Sequence, residues 1–309
     1  MKVSGFTFVR NAIDIGYPLV ESITSVLPLC DEFVVAAGDS DDGTTELLRS
    51  IGSPKLHVIE TVWDPALFVD GKIFAQQTNL ALHACTGDWG FYVQADEVVH
   101  ERDLPRIDAR MQRHLDDPRV EGLLFDYIHF FGDFDHVQTS HNWYRREIRV
   151  VRTGIGVSSW SDAQGFRRGE ERLRVAHSDG TMYHYGHALP PDHLKRKGRA
   201  FAEAQVGTEA ARARPEEPEH RYGRLWGLRP FRGTHPEVMR ERVKAQNWTV
   251  KPSAPVGHKH DWVGVQALTW LENHALGFRI GERRNYVALP GMDSERPQHL
   301  PMVGRPGIE

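Results

Sequence analysis

A short apolar, aromatic and β-branched run, Phe91-Tyr92-Val93, ends abruptly in Gln94-Ala95-Asp96-Glu97. Such a run reads as a buried strand, and two adjacent carboxylates at its end are positioned for chemistry. In an open α/β sheet, ligands collect in the crevice beyond the carboxyl ends of the strands. Asp96 is thereby delivered to a place where a metal-bound diphosphate could be held. The competing explanation is structural: the two acids open the next helix, where negative charge favours the dipole.

A second acidic segment, Gly38-Asp39-Ser40-Asp41-Asp42-Gly43-Thr44, leaves one strand and opens a helix. Asp42 or Ser40 can cap that helix, which absorbs at least one of the three aspartates. Asp39 stands at the strand end, where its carboxylate can accept from a base imide N–H or a ribose hydroxyl. Arg10 leaves the first strand beside Asn11, and Lys72 follows Gly71 at a helix start, where backbone N–H groups also point outward. Both suit a diphosphate. A cation at a helix N-terminus opposes the dipole and calls for an anion, the alternative being a solvated surface charge.

The elements that must hold these residues alternate. Strands are expected at Val3–Val9, Glu32–Ala37 and 55–60, with helices over 17–29, 43–50 and 72–84, the pattern of a mostly parallel α/β sheet. Ile73, Gln77, Leu80 and Ala84 fall at helical spacing on one face. Further on, 101–115 reads as a helix, 121–131 and Arg146–Arg152 as strands that extend the sheet, 195–205 as a helix, and 262–276 as a last helix docking back. Residues 212–219 read as an exposed connection and the Pro- and Gly-rich tail from Pro290 as an extended arm. The expected organisation is a catalytic domain over 1–190 and a helical, irregular extension over 191–309.

An apolar fraction of 40% and a charged fraction of 26% in 309 residues support a real core. The net charge of −4 gives no electrostatic case for binding nucleic acid. Cys30 and Cys85 are the only cysteines, which excludes a disulfide framework and suits a reducing compartment; both are expected in packed helices. The first residues read as a strand and not a signal peptide, and no apolar run is long enough to span a bilayer. A cytoplasmic protein is expected, with no internal repeat and no sign of its oligomeric state.

Taken in order, five segments resemble a family 2-type glycosyltransferase of the GT-A fold. They are Phe8-Val9-Arg10-Asn11, the Gly38 to Thr44 segment, Gly71-Lys72 opening a helix that contains Asn79, Gly87-Asp88-Trp89, and Gln94-Ala95-Asp96-Glu97. The likeness covers residues 3–100 and continues more loosely to 200. It implies a Rossmann-like, mostly parallel sheet flanked by helices, with a smaller C-terminal acceptor region. It also implies inverting transfer of a sugar from a nucleotide-diphosphate donor, UDP-sugar ahead of GDP-sugar, to the hydroxyl of a saccharide or other acceptor. Phe8, Arg10, Asn11, Asp39, Asp41, Lys72, Gln94 and Asp96 then line the donor site.

The family's acidic motif is Asp-x-Asp, and here Gln94 stands at its first position. The resemblance assigns the first acid to the sugar-nucleotide and the second to a divalent cation. Gln94 thus keeps hydrogen bonding without charge, and Asp96 carries the metal, Mn2+ or Mg2+. Losing one carboxylate weakens cation binding unless Glu97 or a distant ligand compensates. His184, in Thr181-Met182-Tyr183-His184-Tyr185-Gly186-His187, resembles the late histidine that related transferases supply, and imidazole suits manganese better than magnesium. Against it, the chain has 17 histidines. Asp162 resembles the acceptor-side acid that serves as base, with Asp126, Asp133 and Asp135 in competition.

The same residues bear on other functions. A sugar nucleotidyltransferase needs a Gly-rich loop after the first strand, and Phe8-Val9-Arg10-Asn11-Ala12 has none. A catalytically silent sugar-nucleotide-binding scaffold is compatible with Gln94. A zinc hydrolase on His184, His187 and His193 lacks a His-Glu-x-x-His helix, and Pro190-Pro191 breaks any helix that would align those rings. Trp226, Phe231 and Trp248, among arginines, either shape the acceptor side or pack a small subdomain.

Overall fold

The alternating strand and helix pattern of the first hundred residues is realised as a parallel sheet. The computed structural model describes residues 1–215, 220–254, 259–276, 279–281 and 284–292. Strands β1 (Val3–Val9), β2 (Glu32–Ala37), β3 (Leu56–Glu60) and β4 (Trp89–Tyr92) lie parallel in the order β3-β2-β1-β4. Helices α1 (Ala12–Ile15), α2 (Leu19–Val26), α3 (Thr44–Ser50) and α4 (Lys72–His83) connect them. After β4 come β5 (Glu97–Val99), α5 (Leu104–Arg113), β6 (Gly122–Phe131), β7 (His136–Gln138) and β8 (Arg146–Arg152). β8 runs antiparallel between β4 and β6. A small sheet of β9 (Val157–Trp160), β10 (Gly165–Arg168) and β11 (Glu171–Arg172) precedes β12 (Arg174–His187), which pairs parallel with β6 and antiparallel with β5. The last part contains α6 (Pro191–Val206), α7 (Thr208–Arg212), β13 (Leu228–Pro230), α8 (Arg240–Lys244), α9 (Val263–Leu271) and β14 (Val287–Ala288). Among the described residues, eleven strands form the main sheet, so the expected α/β class, a mostly parallel central sheet flanked by helices, is the one the chain adopts.

Both faces of the sheet are covered, which is why its strands are apolar at successive positions and not only at alternate ones. Phe33, Val35, Phe91, Leu123 and Phe125 face α2, α3 and α5 through Leu19, Ile23, Leu48, Ile107 and Met111. Val34, Ala36, Tyr92, Leu124 and Ile148 face the other way, against Ala81 and Leu82 of α4 and Phe166 of the small sheet. Phe33, Phe91 and Phe125 are wholly buried, each contributing roughly 1.5–3 kcal/mol relative to exposure. A third cluster, with Phe130, Tyr183 and Tyr185 against Met239, Phe231 and Trp248, attaches the chain beyond α6 to β6 and β12.

Several local expectations change. The helix expected over 17–29 is split: Pro18 stands at the N-cap of α2, and Pro28 lies in a short 3-10 turn, Leu27–Leu29, that ends it. Glu97 opens β5 and no helix, so the structural explanation of the acidic pair fails. Leu80 is 40% exposed, on the outer face of α4, and both cysteines lie just past helix ends instead of inside them. Pro191 starts α6, as proline can at the first helical position, instead of breaking a helix. The last expected helix is α9, continued by a π-helical turn, Glu272–Leu276. The arm beyond Met292 and residues 216–219 of the expected connection lie outside the described residues.

Candidate active site

The chain passes from β1 to β2 and β3 on one side, then crosses to β4 on the other, so the carboxyl end of β1 is a topological switch point. β1, β2 and β4 deliver Arg10 and Asn11, Asp39, and Gln94 to Asp96, respectively, to this one crevice.

Asp96 is buried. Its Oδ2 accepts from Lys197 Nζ at 2.8 Å and lies 3.5 Å from His184 Nε2. Lys197 also donates to Gly186 O at 2.8 Å and sits 5.1 Å from the Tyr17 ring centre. His184 Nδ1 is 3.0 Å from His129 Nδ1, whose ring in turn bonds Tyr144 O through Nε2 at 2.7 Å. Burial works to raise the Asp96 carboxyl, yet the Lys197 ammonium and His184 outweigh it and hold it well below the usual range. Burial and Lys197 together keep His187 well below its ordinary value. Gly186 is a spatial requirement: a Cβ there would strike Asp96 Oδ2, Lys197 Nζ and His184 Nε2 together.

On the β2 side Asp39 keeps a 40% exposed carboxylate, facing Arg10 Nε at 3.3 Å and accepting from Trp63 N at 3.2 Å. Arg10 also lies over the Trp63 ring, 5.3 Å from its centre, and Phe8 stacks on Phe74. Trp63 Nε1 is buried without a hydrogen-bond partner. Asn11, in the left-handed region at φ 51°, accepts from Asp41 N and donates its own N–H to Ser40 Oγ, closing the two strand exits against each other. Asp41 is exposed, and Asp42 takes the structural role, accepting from Thr44 N, Thr44 Oγ1 and Asp14 N. Lys72 is exposed at the first turn of α4. Gly71 before it, at φ 68°, packs so closely on Asp162 that a Cβ would approach Asp162 Cβ to 2.9 Å.

Gln94 donates to Tyr92 OH at 3.3 Å and reaches Ala163 O at 3.5 Å, which brings the β9–β10 turn carrying Asp162 to the same crevice. Ser161 and Ala163, either side of Asp162, both have positive φ, of 59° and 63°. Non-glycine residues in that region carry strain of order 1–2 kcal/mol each, which packing must offset. Glu97 is not available to a cation: it takes bidentate donation from Arg149 at 2.7 and 2.8 Å and accepts from Tyr127 OH at 2.7 Å, all fully buried. Asp126 is engaged by Arg146 and His177, and Asp133 accepts from Asp135 N and contacts His136 Nδ1. His193 turns away to Asp14 O, which removes the three-histidine zinc arrangement.

Sequence reasoning missed Lys197 and Glu147. Phe91 stands opposite Val150, so β8 begins past the end of β4, and Glu147 comes level with Gln94. Its Oε1 accepts from Gln164, its Oε2 is buried without a partner, and burial pushes its carboxyl up to about 7. The signal was present: Glu147 and Arg149 alternate on one face of β8, and Lys197 lies at helical spacing between Leu194 and Ala204, on the inward stripe of α6.

Beside His187, whose ring centre is 5.6 Å from that of His184, opens a cavity of about 180 Å³. Phe131, Trp143, Leu194 and Tyr222 line it. Trp143 Nε1 and Tyr222 OH are buried and without hydrogen-bond partners.

The residues expected to hold Mn2+ or Mg2+ come together but do not make a divalent site. Asp96 and His184 offer one carboxylate and one imidazole, and Lys197 already occupies the same carboxylate oxygen. Among the described residues no group of three His, Cys, Asp or Glu side chains can hold a metal ion.

No family model and no curated protein matches the chain. Solved structures similar to it include TarS 1–349 of S. aureus in complex with UDP, at 19% identity and a TM-score of 0.32, over 46% of this chain and 40% of that one. TarS 1–349 alone aligns at 14% identity and a TM-score of 0.36, over 68% of each chain. Glucosyl-3-phosphoglycerate synthase from Mycobacterium tuberculosis, with Mn2+, UDP and glucosyl-3-phosphoglycerate, aligns at 18% identity and a TM-score of 0.30, over 42% of this chain and 45% of that one. The chain thus spans less than half of the first and third of these. At this extent the chemistry rests on the chain's own residues.

Proposed function

We propose that the chain transfers a hexosyl group, with inversion, from a nucleoside-diphosphate sugar to an acceptor hydroxyl, in the assembly of a polysaccharide or glycoconjugate. The observation that carries this reading is the convergence of Asp39, Arg10, Gln94 and Asp96, from three adjacent strands, on the switch-point crevice. Asp39, beside Arg10 and Trp63, serves the nucleoside. Arg10 and Lys72 meet the diphosphate, with the α4 N-terminus behind Lys72. Gln94 hydrogen-bonds the sugar.

Transfer is a single displacement. The acceptor oxygen attacks the anomeric carbon, the bond from that carbon to the diphosphate oxygen breaks, and the acceptor proton passes to Asp162. Residues 1–190 hold the donor and the reacting groups, and the extension from 191 adds Lys197 and part of the cavity wall. That cavity, with aromatic faces and two unpartnered donors, suits a saccharide acceptor: its rings cover sugar C–H faces, while Trp143 and Tyr222 bond hydroxyls. Cys30 and Cys85 are free thiols, in keeping with the cytoplasm, and no helix of the described residues is long and apolar enough to cross a membrane.

The test is calorimetric titration with UDP, GDP, dTDP and CMP. One nucleotide is expected to bind, and Asp39→Ala to weaken it about tenfold, a loss of the size of one charge-assisted hydrogen bond. Failure of all four to bind overturns the reading; binding with no turnover of any corresponding sugar donor favours the silent scaffold.

A further inference from the structure

An ammonium held mostly out of solvent, its side chain 19% exposed against a 9% exposed carboxylate, needs a reason. Lys197 lies on the inward stripe of α6, where an apolar side chain would pack at no cost in desolvation. Buried ion pairs contribute little net stability against apolar residues of similar volume, so the pairing with Asp96 is poorly explained as a fold-stabilising device. The backbone is shaped around it: Gly186 alone leaves room for Asp96 Oδ2, Lys197 Nζ and His184 Nε2 to meet, and its carbonyl takes one of the ammonium's hydrogen bonds. The pair stands at the end of β4, where a carboxylate would otherwise anchor a divalent ion, and the donor set left over is too small for one.

We infer that Lys197 is the resident cation of the donor site: held by Asp96 and Gly186, its ammonium takes the place of a divalent ion opposite the donor's diphosphate. A lysine is an effective phosphate binder as a point charge, and one fixed in a partly desolvated crevice needs no reorganisation when charge develops on the leaving diphosphate. Asp96 is then a positioning residue that aims the ammonium, and His184 steadies the same carboxylate oxygen. The acidic motif with one charge missing is consistent with this, because a single positive charge needs one carboxylate where a divalent ion is better served by two. The inference rests on the nucleoside-diphosphate reading of the crevice and specifies the cation within it.

The experiment is titration of the full chain with UDP, GDP, dTDP and CMP, first in excess EDTA and then in Mn2+ and in Mg2+. The affinity of the nucleotide that binds is expected to agree within about threefold between EDTA and either metal, less than the tenfold change that 1.4 kcal/mol represents. Lys197→Met is expected to weaken it by about tenfold or more in all three buffers, with Lys197→Arg recovering part of the loss. Binding by the unaltered chain only when Mn2+ or Mg2+ is present overturns the inference while leaving the donor reading intact. Undiminished binding by Lys197→Met does the same. No binding of any nucleotide in any buffer removes both.

Discussion

Lys197 Nζ and Asp96 Oδ2 lie 2.8 Å apart although 101 residues separate them in the chain. The contact joins the end of a central strand to a helix that begins after β12, so the site is completed only when α6 docks. Tyr17, from the loop before α2, closes over the same ammonium. The acid that marks the site in the sequence and the cation that answers it thus belong to different parts of the chain.

Gly186→Ala tests the space behind this contact. The added Cβ would press on Asp96, Lys197 and His184 at once while leaving the strand's φ unstrained. Nucleotide affinity is expected to fall by about tenfold or more, with a far-UV circular dichroism spectrum like that of the parent. Unchanged affinity would mean that the three side chains need not converge.

Glu97→Gln addresses stability and not binding. It leaves the Arg149 guanidinium buried opposite a neutral amide, and breaking one side of a buried pair costs about 3–5 kcal/mol. Urea unfolding should show a midpoint lowered accordingly. A shift below about 1 kcal/mol, the range of exposed pairs, would contradict the assigned burial.

Glu147 gives a pH dependence of definite sign. Burial raises its carboxyl to about 7 in the folded chain, above its ordinary 4.5, so the folded state binds the extra proton between those values. Its favourable contribution is present below pH 4.5 and lost as pH rises through 7, a change of about 3 kcal/mol as an upper bound. Relative to the parent, Glu147→Gln should therefore gain stability steadily from pH 5 to pH 8. A difference in urea midpoints that stays flat across that interval would refute the shift.

Asp162→Asn separates the base from the donor site. It keeps the contact with Gly71 and the volume of the turn, so nucleotide affinity should hold within about threefold while turnover falls by roughly 100-fold, the range of general-base catalysis. Turnover equal to the parent's would move the base to another group.

Much of this was legible in the sequence because it is local. β1, β2 and β8 have the bounds read from their apolar runs, and Asp39, Gln94 and Asp96 reach the crevice because a strand end can point nowhere else once the order β3-β2-β1-β4 is set. What was missed depends on distant packing. Lys197 reads as one more charge on a basic helix until the fold brings it to Asp96 and Gly186, and Glu147 as a routine strand acid until β8 is found to overrun β4. Glu97 shows the converse: as a neighbour of Asp96 it looked available to a cation, but the two-residue period of a strand turns it inward to Arg149. The paired orphan donors of the cavity, Trp143 and Tyr222, are far apart in sequence and share no pattern that would join them.

The most direct measurement of the central claim is release of nucleoside diphosphate from a panel of UDP-, GDP- and dTDP-sugars, by the parent chain and by Asp96→Ala. The parent should release product from one donor class, and the variant should fall by roughly 100-fold or more, as expected when the charge that stabilises a leaving group loses its support. Equal release by both chains would contradict a donor site built on Asp96, and release by neither would contradict sugar transfer itself.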